Sequence, residues 1–331
     1  ENAREHLDAA NEFYIDALRR VVMLQLAAND TPTAGAPIVL AGPTALLRLG
    51  NTSRVSFSGL TFEHTAAESA GVLAGADSQS ADHLTTAAVH VGAGSSYVTA
   101  DNCTFRHTGG YAFWADAGAT HCNVTRCAAY DLGAGGVRLG AGHKATAMAT
   151  DHVVSDSTLT DGGHVWQQGA GVLAQNVARV KISHNHVHHF RYTGVSTGWT
   201  WGYGATNVSD VLVEYNHIHD ILLGYLSDGG CVYTLGHQPR SAVMNNWCHD
   251  VQSYNYGGWG FYTDEGSRGI NFENNVASRT KCAGHHQHYG TDNVLQNNLY
   301  YDVDIGDVPT PGRPEVLMAG HCDAAIRAST H

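Results

Sequence analysis

Two short acidic motifs in the C-terminal half of the sequence carry the side chains best suited to acid–base chemistry. Asp228 lies in a Ser-Asp-Gly-Gly motif, and Asp264 and Glu265 are adjacent in a Tyr-Thr-Asp-Glu-Gly motif. Glycoside hydrolysis requires two carboxyl groups that flank the scissile bond, one protonated and the other ionised. We therefore take Asp228 as the candidate general acid and Asp264 as the candidate nucleophile or general base.

Aromatic and imidazole side chains are concentrated in the same part of the sequence. Exposed aromatic rings stack on the apolar faces of sugars, while acids and amides bind sugar hydroxyls. Packing against the fold is an equally good interpretation of the three rings in the glycine-rich segment 198–204. The candidate substrate-binding residues are Trp199, Trp201, Tyr203, Tyr233, Tyr262, Glu265, His286 and His288.

Short strands must position these residues, because segments of one design recur along the chain. Apolar residues alternate with polar ones inside each segment, and a polar turn follows. After a first interval of 43 residues, the anchors of these segments recur every 23 to 31 residues, which predicts a stacked solenoid. The anchors are Leu60, Cys103, Cys127, Ser157, Asn185, Asn216, Asn246, Asn274 and Asn297.

The repeat predicts an all-β fold, a single-stranded right-handed parallel β-helix of about nine coils with two or three strands per turn. Asparagines at one repeated position, Asn185, Asn216 and Asn246, predict an internal ladder in which each amide bonds to the backbone of the next coil. The side chains expected to stack inside the coils are Val172, Val195, Val232 and Phe261.

Alignment of the strands predicts one outward column of polar side chains. With Val195, Val232, Phe261 and His285 facing inward, the outward residues are Ser196, Tyr233, Tyr262 and His286. Asp228 then aligns with Gly257, seven residues before Asp264, so the acids converge only if the chain bends at Gly229–Gly230. We expect Asp264 to lie beside His288 and near the Tyr262 hydroxyl.

Three of the 22 histidines, His188, His219 and His249, repeat with the coil. A stacked structural ladder is favoured over a metal site, because no closely spaced histidine pair comes with a third ligand at a defined position. The sequence therefore predicts no bound metal and no cofactor.

The N-terminal region differs from the repeat. Residues 1–53 are expected to form a β-rich lead-in or cap, with strands at Glu12–Asp16, Val21–Leu26 and Ile38–Leu40, and a helix over 3–20 is the alternative. The β-helix is expected over 54–305 and a C-terminal extension over 306–331. Because residue 1 is Glu rather than Met, we expect the chain to be a fragment.

Composition excludes several classes of function. Charged residues make up only 15% of the 331 residues, and the formal net charge is −12, which argues against a nucleic acid or an anionic membrane as partner. No apolar run approaches 18 residues, so no membrane span is expected. Seven cysteines show no Cys-x-x-Cys motif. A monomer is expected.

Three motifs give the sequence a resemblance to a known family. Ser227–Gly236, Gly257–Gly266 and His286–Gly290 resemble the signatures of secreted right-handed β-helix proteins similar to a glycoside-hydrolase family with α-L-fucosidase and xylanase members. The resemblance extends over the whole chain and is strongest between Val180 and Asn298. It implies a secreted or extracellular protein, a polysaccharide or oligosaccharide substrate, and a catalytic pair at Asp228 and Asp264.

Three classes of function remain open on the sequence alone. A glycoside hydrolase acting on cell-wall or extracellular polysaccharide comes first. A polysaccharide lyase would use Tyr262, His286 or His288 as its base, but the motifs lack the clustered Lys, Arg or calcium-binding acids that neutralise a uronate. A non-catalytic carbohydrate-binding surface protein is the third, and a separation of about 5–10 Å between the carboxyl groups favours hydrolysis.

Overall fold

The structure of the protein is a computed structural model that describes residues 3–10, 12–16, 18–28, 39–67, 86–142 and 145–303. The C-terminal extension expected over 306–331 lies outside the described residues, as does Ile38 in the third expected N-terminal strand. Residues 1–40 and 41–331 form two separate compact units.

The N-terminal unit contains a hairpin rather than the alternative helix. Strands β1 (Phe13–Asp16) and β2 (Val21–Leu24) pair antiparallel, after a single 3-10 turn at Arg4–His6. The Asp16 carboxylate accepts a hydrogen bond from the Arg19 backbone N–H at 2.9 Å and fixes the turn. Two of the three strands expected here are therefore confirmed, and Val39 and Leu40 are not in a strand.

In the described residues of the second unit, 27 strands, β3 to β29, form three parallel sheets of nine strands each, which we call sheets I, II and III. Sheet I contains β3 (Leu47–Leu49), β6 (Ala87–Val91), β9 (Tyr111–Ala115), β12 (Val137–Gly140), β15 (Val172–Gln175), β18 (Val195–Gly198), β21 (Gly230–Leu235), β24 (Trp259–Thr263) and β27 (His285–Gln287).

Sheet II contains β4 (Ser53–Ser58), β7 (Ser96–Asp101), β10 (Asn123–Thr125), β13 (Ala149–Ser155), β16 (Val177–Ser183), β19 (Ser209–Glu214), β22 (His237–Met244), β25 (Arg268–Glu273) and β28 (Val294–Gln296). Sheet III contains β5 (Thr61–Glu63), β8 (Thr104–Thr108), β11 (Ala128–Leu132), β14 (Thr158–Gly162), β17 (His186–Phe190), β20 (His217–Ile221), β23 (Trp247–Val251), β26 (Val276–Thr280) and β29 (Leu299–Val303).

Each coil contributes one strand to sheet I, then one to sheet II and one to sheet III, and each strand pairs with its counterpart one coil away. The fold is therefore a right-handed parallel β-helix of nine coils, as the repeat predicted. The first coil begins at β3, before the boundary expected at residue 54. Val172, Val195, Val232 and Phe261 stack in register and are fully buried, which confirms the predicted interior.

A polar ladder inside the corner between sheets II and III holds the coils in register. The Asn185 backbone N–H and side-chain amide both donate to Asn216 Oδ1 at 3.0 Å, and Asn216 donates in the same way to Asn246. The side-chain amide of each also donates to a backbone carbonyl of the preceding coil, as Asn185 does to the Val154 carbonyl. These bonds satisfy buried polar groups at the corner, which the backbone hydrogen bonds between paired strands do not reach.

The ladder continues through Asn275 and Asn298, not through the anchors Asn274 and Asn297. Those two residues each precede a ladder residue and have φ angles of 55°. Asparagine tolerates this left-handed conformation better than most residues, so each coil turns the corner there. The sequence alignment is therefore wrong by one residue in the last two coils, because each of these corners holds two adjacent asparagines.

Histidines on the outer face of sheet III stack as the sequence predicted. The ring centroids of His188 and His219 lie 4.8 Å apart, and those of His219 and His249 lie 4.7 Å apart, with nearly parallel planes. No helix in the described part of the chain is long and apolar enough to cross a membrane.

Candidate functional site

The outer face of sheet I carries the predicted column of side chains. Ser196, Tyr233, Tyr262 and His286 lie in register on consecutive strands, which confirms the column. Alternation along each strand fixes their direction, since their neighbours Val195, Val232 and Phe261 fill the interior. We call this column the floor of the site, and the two candidate acids lie over it.

The two acids reach this floor from opposite ends of the strands. Asp228 precedes β21, and its backbone N–H donates to the Tyr256 carbonyl at 2.9 Å, as its alignment with Gly257 requires. Asp264 follows β24, and its backbone N–H donates to the Thr234 carbonyl at 2.8 Å. One acid therefore comes from the turn before sheet I and the other from the turn after it.

The bend that brings Asp228 over the sheet lies at Asp228 itself, which has a φ of 61°. The following glycines do not adopt left-handed angles. They are required by close approach, because a Cβ at Gly230 would lie 2.4 Å from the Trp259 carbonyl oxygen and one at Gly229 would lie 2.8 Å from Thr193 Oγ1. The bend predicted at Gly229–Gly230 is thus present one residue earlier, at Asp228.

Each acid is held by the tyrosine of the other coil. Tyr262 Oη donates to Asp228 Oδ1 at 2.9 Å, and Tyr233 Oη donates to Asp264 Oδ2. The two tyrosine rings meet edge to face with centroids 5.0 Å apart. Asp264 lies near enough to the Tyr262 hydroxyl for its charge to contribute to raising the pKa of Tyr262, but its hydrogen bond comes from Tyr233, because the acids approach from opposite ends and each meets the tyrosine of the neighbouring coil.

Burial separates the two carboxyl groups from ordinary surface acids. Burial raises the pKa of Asp228 to about 6, and the nearby negative charge of Asp264 adds to this shift. The Tyr262 hydrogen bond and the positive potential of His288 oppose it. Burial also raises the pKa values of Tyr233 and Tyr262, so both hydroxyls stay protonated and act as donors.

Trp199 lies beneath the site rather than in it. Its side chain is 1% exposed, and its indole N–H donates to Ser196 Oγ at 2.8 Å. Its ring packs against Tyr233, with centroids 5.8 Å apart. The expected sugar contact at Trp199 is therefore wrong, because Trp201 and Tyr233 pack against the ring and almost none of it is exposed.

The rest of the glycine-rich segment extends across the turns that follow sheet I. A Cβ at Gly266 would lie 1.9 Å from the Gly202 carbonyl oxygen, so the two turns touch through backbone alone. Trp201 is half-buried above Trp199. Tyr203 is 52% exposed and donates to the Tyr289 carbonyl at 2.7 Å. The segment forms a wall on the Asp264 side of the site.

The remaining sequence candidates lie along the same wall and floor. Glu265 is half-buried, with its carboxylate near Gly202. The His286 ring stacks on Trp259 at 4.2 Å, and the His288 backbone N–H donates to the Thr263 carbonyl at 2.7 Å. Tyr233 and Tyr262 are only 2% and 1% exposed, so they support the acids instead of presenting a surface to a sugar.

Several aromatic residues at the site were not singled out from the sequence. Trp259 lies between Tyr262 and His286, and within the described residues its buried indole N–H has no hydrogen-bond partner. Tyr254 and Tyr289 are 76% and 68% exposed on the turns before and after sheet I. The sequence feature that could have identified them is their position in turns that align with the two acidic motifs.

A model of the family described as right-handed β-helix region matches residues 87–300. A solved structure described as a glycoside hydrolase has a TM-score of 0.78 and 24% identity, over 90% of this chain and 58% of its own length. This chain thus spans little more than half of that protein.

A second solved structure, PfbA, a surface adhesin of Streptococcus pneumoniae, has a TM-score of 0.40 and 11% identity over 80% of this chain and 76% of its own. No curated protein matches the sequence. The structure described as a glycoside hydrolase shares its fold with this chain.

Proposed function

Because the chain belongs to the right-handed β-helix family, we propose that its sheet I site hydrolyses glycosidic bonds of a polysaccharide or oligosaccharide. The observation that carries the proposal is the crossed pair, in which Tyr262 holds Asp228 and Tyr233 holds Asp264. Two carboxyl groups in different environments on one surface are what acid–base cleavage of a glycosidic bond requires.

Asp228 is the general acid of this proposal. A pKa of about 6 keeps a substantial fraction of its carboxyl protonated in mildly acidic solution. The proton passes to the glycosidic oxygen as the bond to the leaving sugar breaks. The Tyr262 hydroxyl then stabilises the carboxylate that is left behind.

Asp264 is the nucleophile or the general base. Its carboxylate accepts a hydrogen bond from Tyr233, which fixes its orientation. In a retaining reaction it attacks the anomeric carbon, and in an inverting reaction it takes a proton from water. The stereochemistry of the first product, measured by NMR, distinguishes the two.

Substrate contact is assigned to the aromatic rings that reach solvent. Trp201, Tyr203 and Tyr289 lie on the turns beside Asp264. Trp201→Ala should weaken oligosaccharide binding by about 1–3 kcal/mol if the ring stacks on a sugar. Trp199→Ala serves as the comparison, since its buried ring should affect the melting temperature first.

An extracellular location is part of the proposal. A disulfide joins Cys231 of sheet I to Cys248 of sheet III in the coil that carries Tyr233. Disulfides persist in oxidising compartments and are rare in the cytosol. A polysaccharide substrate outside the cell agrees with this location.

The test is a screen of the purified protein against cell-wall polysaccharides, measured by reducing-end release and by ultraviolet absorbance of unsaturated products. Asp228→Asn and Asp264→Asn should both fold normally and lose several orders of magnitude in turnover, because an amide neither donates nor accepts the proton. Asp156→Asn, at an exposed corner of another coil, is the matched control and should keep full activity.

The alternatives give different outcomes in the same screen. Unsaturated products, with both aspartate variants active and His286→Ala inactive, would replace the hydrolase with a lyase. Saturable binding of an oligosaccharide without any product would leave a carbohydrate-binding surface. Either result contradicts the proposed hydrolysis.

A further inference from the structure

A second cluster of ionisable side chains lies on the outer face of sheet III, on a different face from the proposed active site. Parallel pairing places His186 beside His217 and His188 beside His219. The next coil adds Trp247 and His249 in the same two columns. Neighbouring strands lie about 4.8 Å apart, so the register alone places imidazoles within reach of one another.

The imidazoles approach across the two columns through their Nε2 atoms. His186 Nε2 lies 2.7 Å from His219 Nε2, and His217 Nε2 lies 2.7 Å from His249 Nε2. One ring nitrogen from each of His186, His217 and His219 lies within 4.8 Å of the other two. Stacking alone would not require nitrogen atoms to converge on one point.

A carboxylate fixes which nitrogen of His219 is free to act as a ligand. His219 Nδ1 lies 2.6 Å from Asp220 Oδ2, and a carboxylate only accepts, so Nδ1 carries the proton. The lone pair of His219 Nε2 then points at the cluster. Metal-ligating histidines nearly always have such a carboxylate or carbonyl partner behind them.

We propose that His186, His217 and His219 bind one divalent transition-metal ion, with Zn²⁺ as the fitting probe, through their Nε2 atoms. Three imidazoles suit Zn²⁺, Cu²⁺ or Ni²⁺, and Zn²⁺ takes such ligands at about 2.0–2.1 Å with a fourth position for water. Tetrahedral geometry at that bond length separates the nitrogens by about 3.3 Å. The His186 Nε2 and His219 Nε2 atoms, now 2.7 Å apart, would have to separate to that spacing by rotation of their half-buried rings.

The hydrogen bonds of the cluster show which proton must move when the ion binds. Because His219 Nε2 accepts, His186 Nε2 carries the proton that the two rings share, and binding of the ion moves that proton to His186 Nδ1, so that the ring stays a neutral ligand. The ion would link strand β17 to strand β20. The sequence predicted no metal because the third ligand comes from a neighbouring coil.

The experiment uses the full chain without an affinity tag, treated with EDTA and desalted, and titrated with ZnCl₂ in a calorimeter. One Zn²⁺ per chain is expected, together with a rise in melting temperature. His217→Ala and His186→Ala should each weaken binding by at least about 100-fold, and Asp220→Asn by about 10–100-fold. A Co²⁺ titration gives an independent absorption spectrum of the ligand set.

Two variants serve as matched controls. His188→Ala removes an imidazole from the same stack but not from the three ligands, and His164→Ala breaks the exposed Asp131, Asp161 and His164 cluster, the alternative metal site. Both should bind Zn²⁺ within about twofold of the unaltered chain. Absence of saturable binding, unchanged binding in folded His217→Ala and His186→Ala, or loss confined to His164→Ala would each overturn the proposal.

Discussion

Removal of the Tyr262 hydroxyl should shift the pH profile of the proposed hydrolysis to higher pH. Tyr262 Oη donates to Asp228 Oδ1 at 2.9 Å and stabilises the carboxylate, which lowers the pKa of Asp228. A hydrogen bond to a charged group contributes about 1.5–3 kcal/mol, and 1.36 kcal/mol corresponds to one pKa unit. Tyr262→Phe should therefore raise the pKa of Asp228 from about 6 by about one to two units.

The sign of the effect on activity follows from the proposed role. A general acid must be protonated in the free enzyme, so kcat/KM falls as pH rises through its pKa. The alkaline limb of the kcat/KM profile should lie near pH 6 in the unaltered chain and about one to two units higher in Tyr262→Phe. At pH 7 the protonated fraction of Asp228 rises from about one tenth to about one half or more.

The assay is kcat/KM against pH with the best substrate of the polysaccharide screen. Tyr300→Phe is the matched control, because it removes a hydroxyl that is also buried and has no hydrogen-bond partner among the described residues. Its alkaline limb should coincide with that of the unaltered chain. A limb in Tyr262→Phe that stays in place or moves to lower pH would refute the role of Asp228 as general acid.

Two stability predictions accompany this one. Burial raises the pKa of Asp228, so its ionisation destabilises the fold above about pH 6. Asp228→Asn should therefore raise the unfolding free energy at pH 8 by about 1–2 kcal/mol in urea titrations. An unfolding free energy that does not rise at pH 8 would contradict the pKa shift. Asn216→Ala should lower the unfolding free energy by about 2–5 kcal/mol, because it leaves the Asn185 N–H and the Ile182 carbonyl unpaired. Asn216→Ser places at this position the residue type of Ser157 in another coil, and should lower the unfolding free energy less than Asn216→Ala does. An equal decrease in the two variants would show that the ladder bonds do not stabilise the corner.

Features that repeat with the coil could be predicted from the sequence. Apolar alternation inside each segment and a common spacing between segments specify parallel strands, nine coils and the buried column that contains Val195 and Val232. The Asn185–Asn216–Asn246 ladder follows from the same translation. A residue at an equivalent position meets the same neighbours one coil away, so local pattern and tertiary contact coincide.

Features that break the repeat were decided only by the tertiary structure. The hydrogen-bond partners of the acids are an example: Tyr262, expected near Asp264, donates to Asp228, and Tyr233 donates to Asp264, because each acid lies in a turn and meets the tyrosine of the adjacent coil. Trp199 is buried because Trp201 of the same turn and Tyr233 of the next coil pack against its ring.

The sequence by itself determined the solenoid, its interior and the strands that carry the acidic motifs, since these depend on periodicity within and between coils. The distance between the two acids, the direction of each hydroxyl and the convergence of His186 on His219 depend on turn paths and side-chain rotation across coils. No period in the sequence encodes those paths, because turns of different length can join the same strands. Only the folded chain brings such residues into contact and so decides their chemistry.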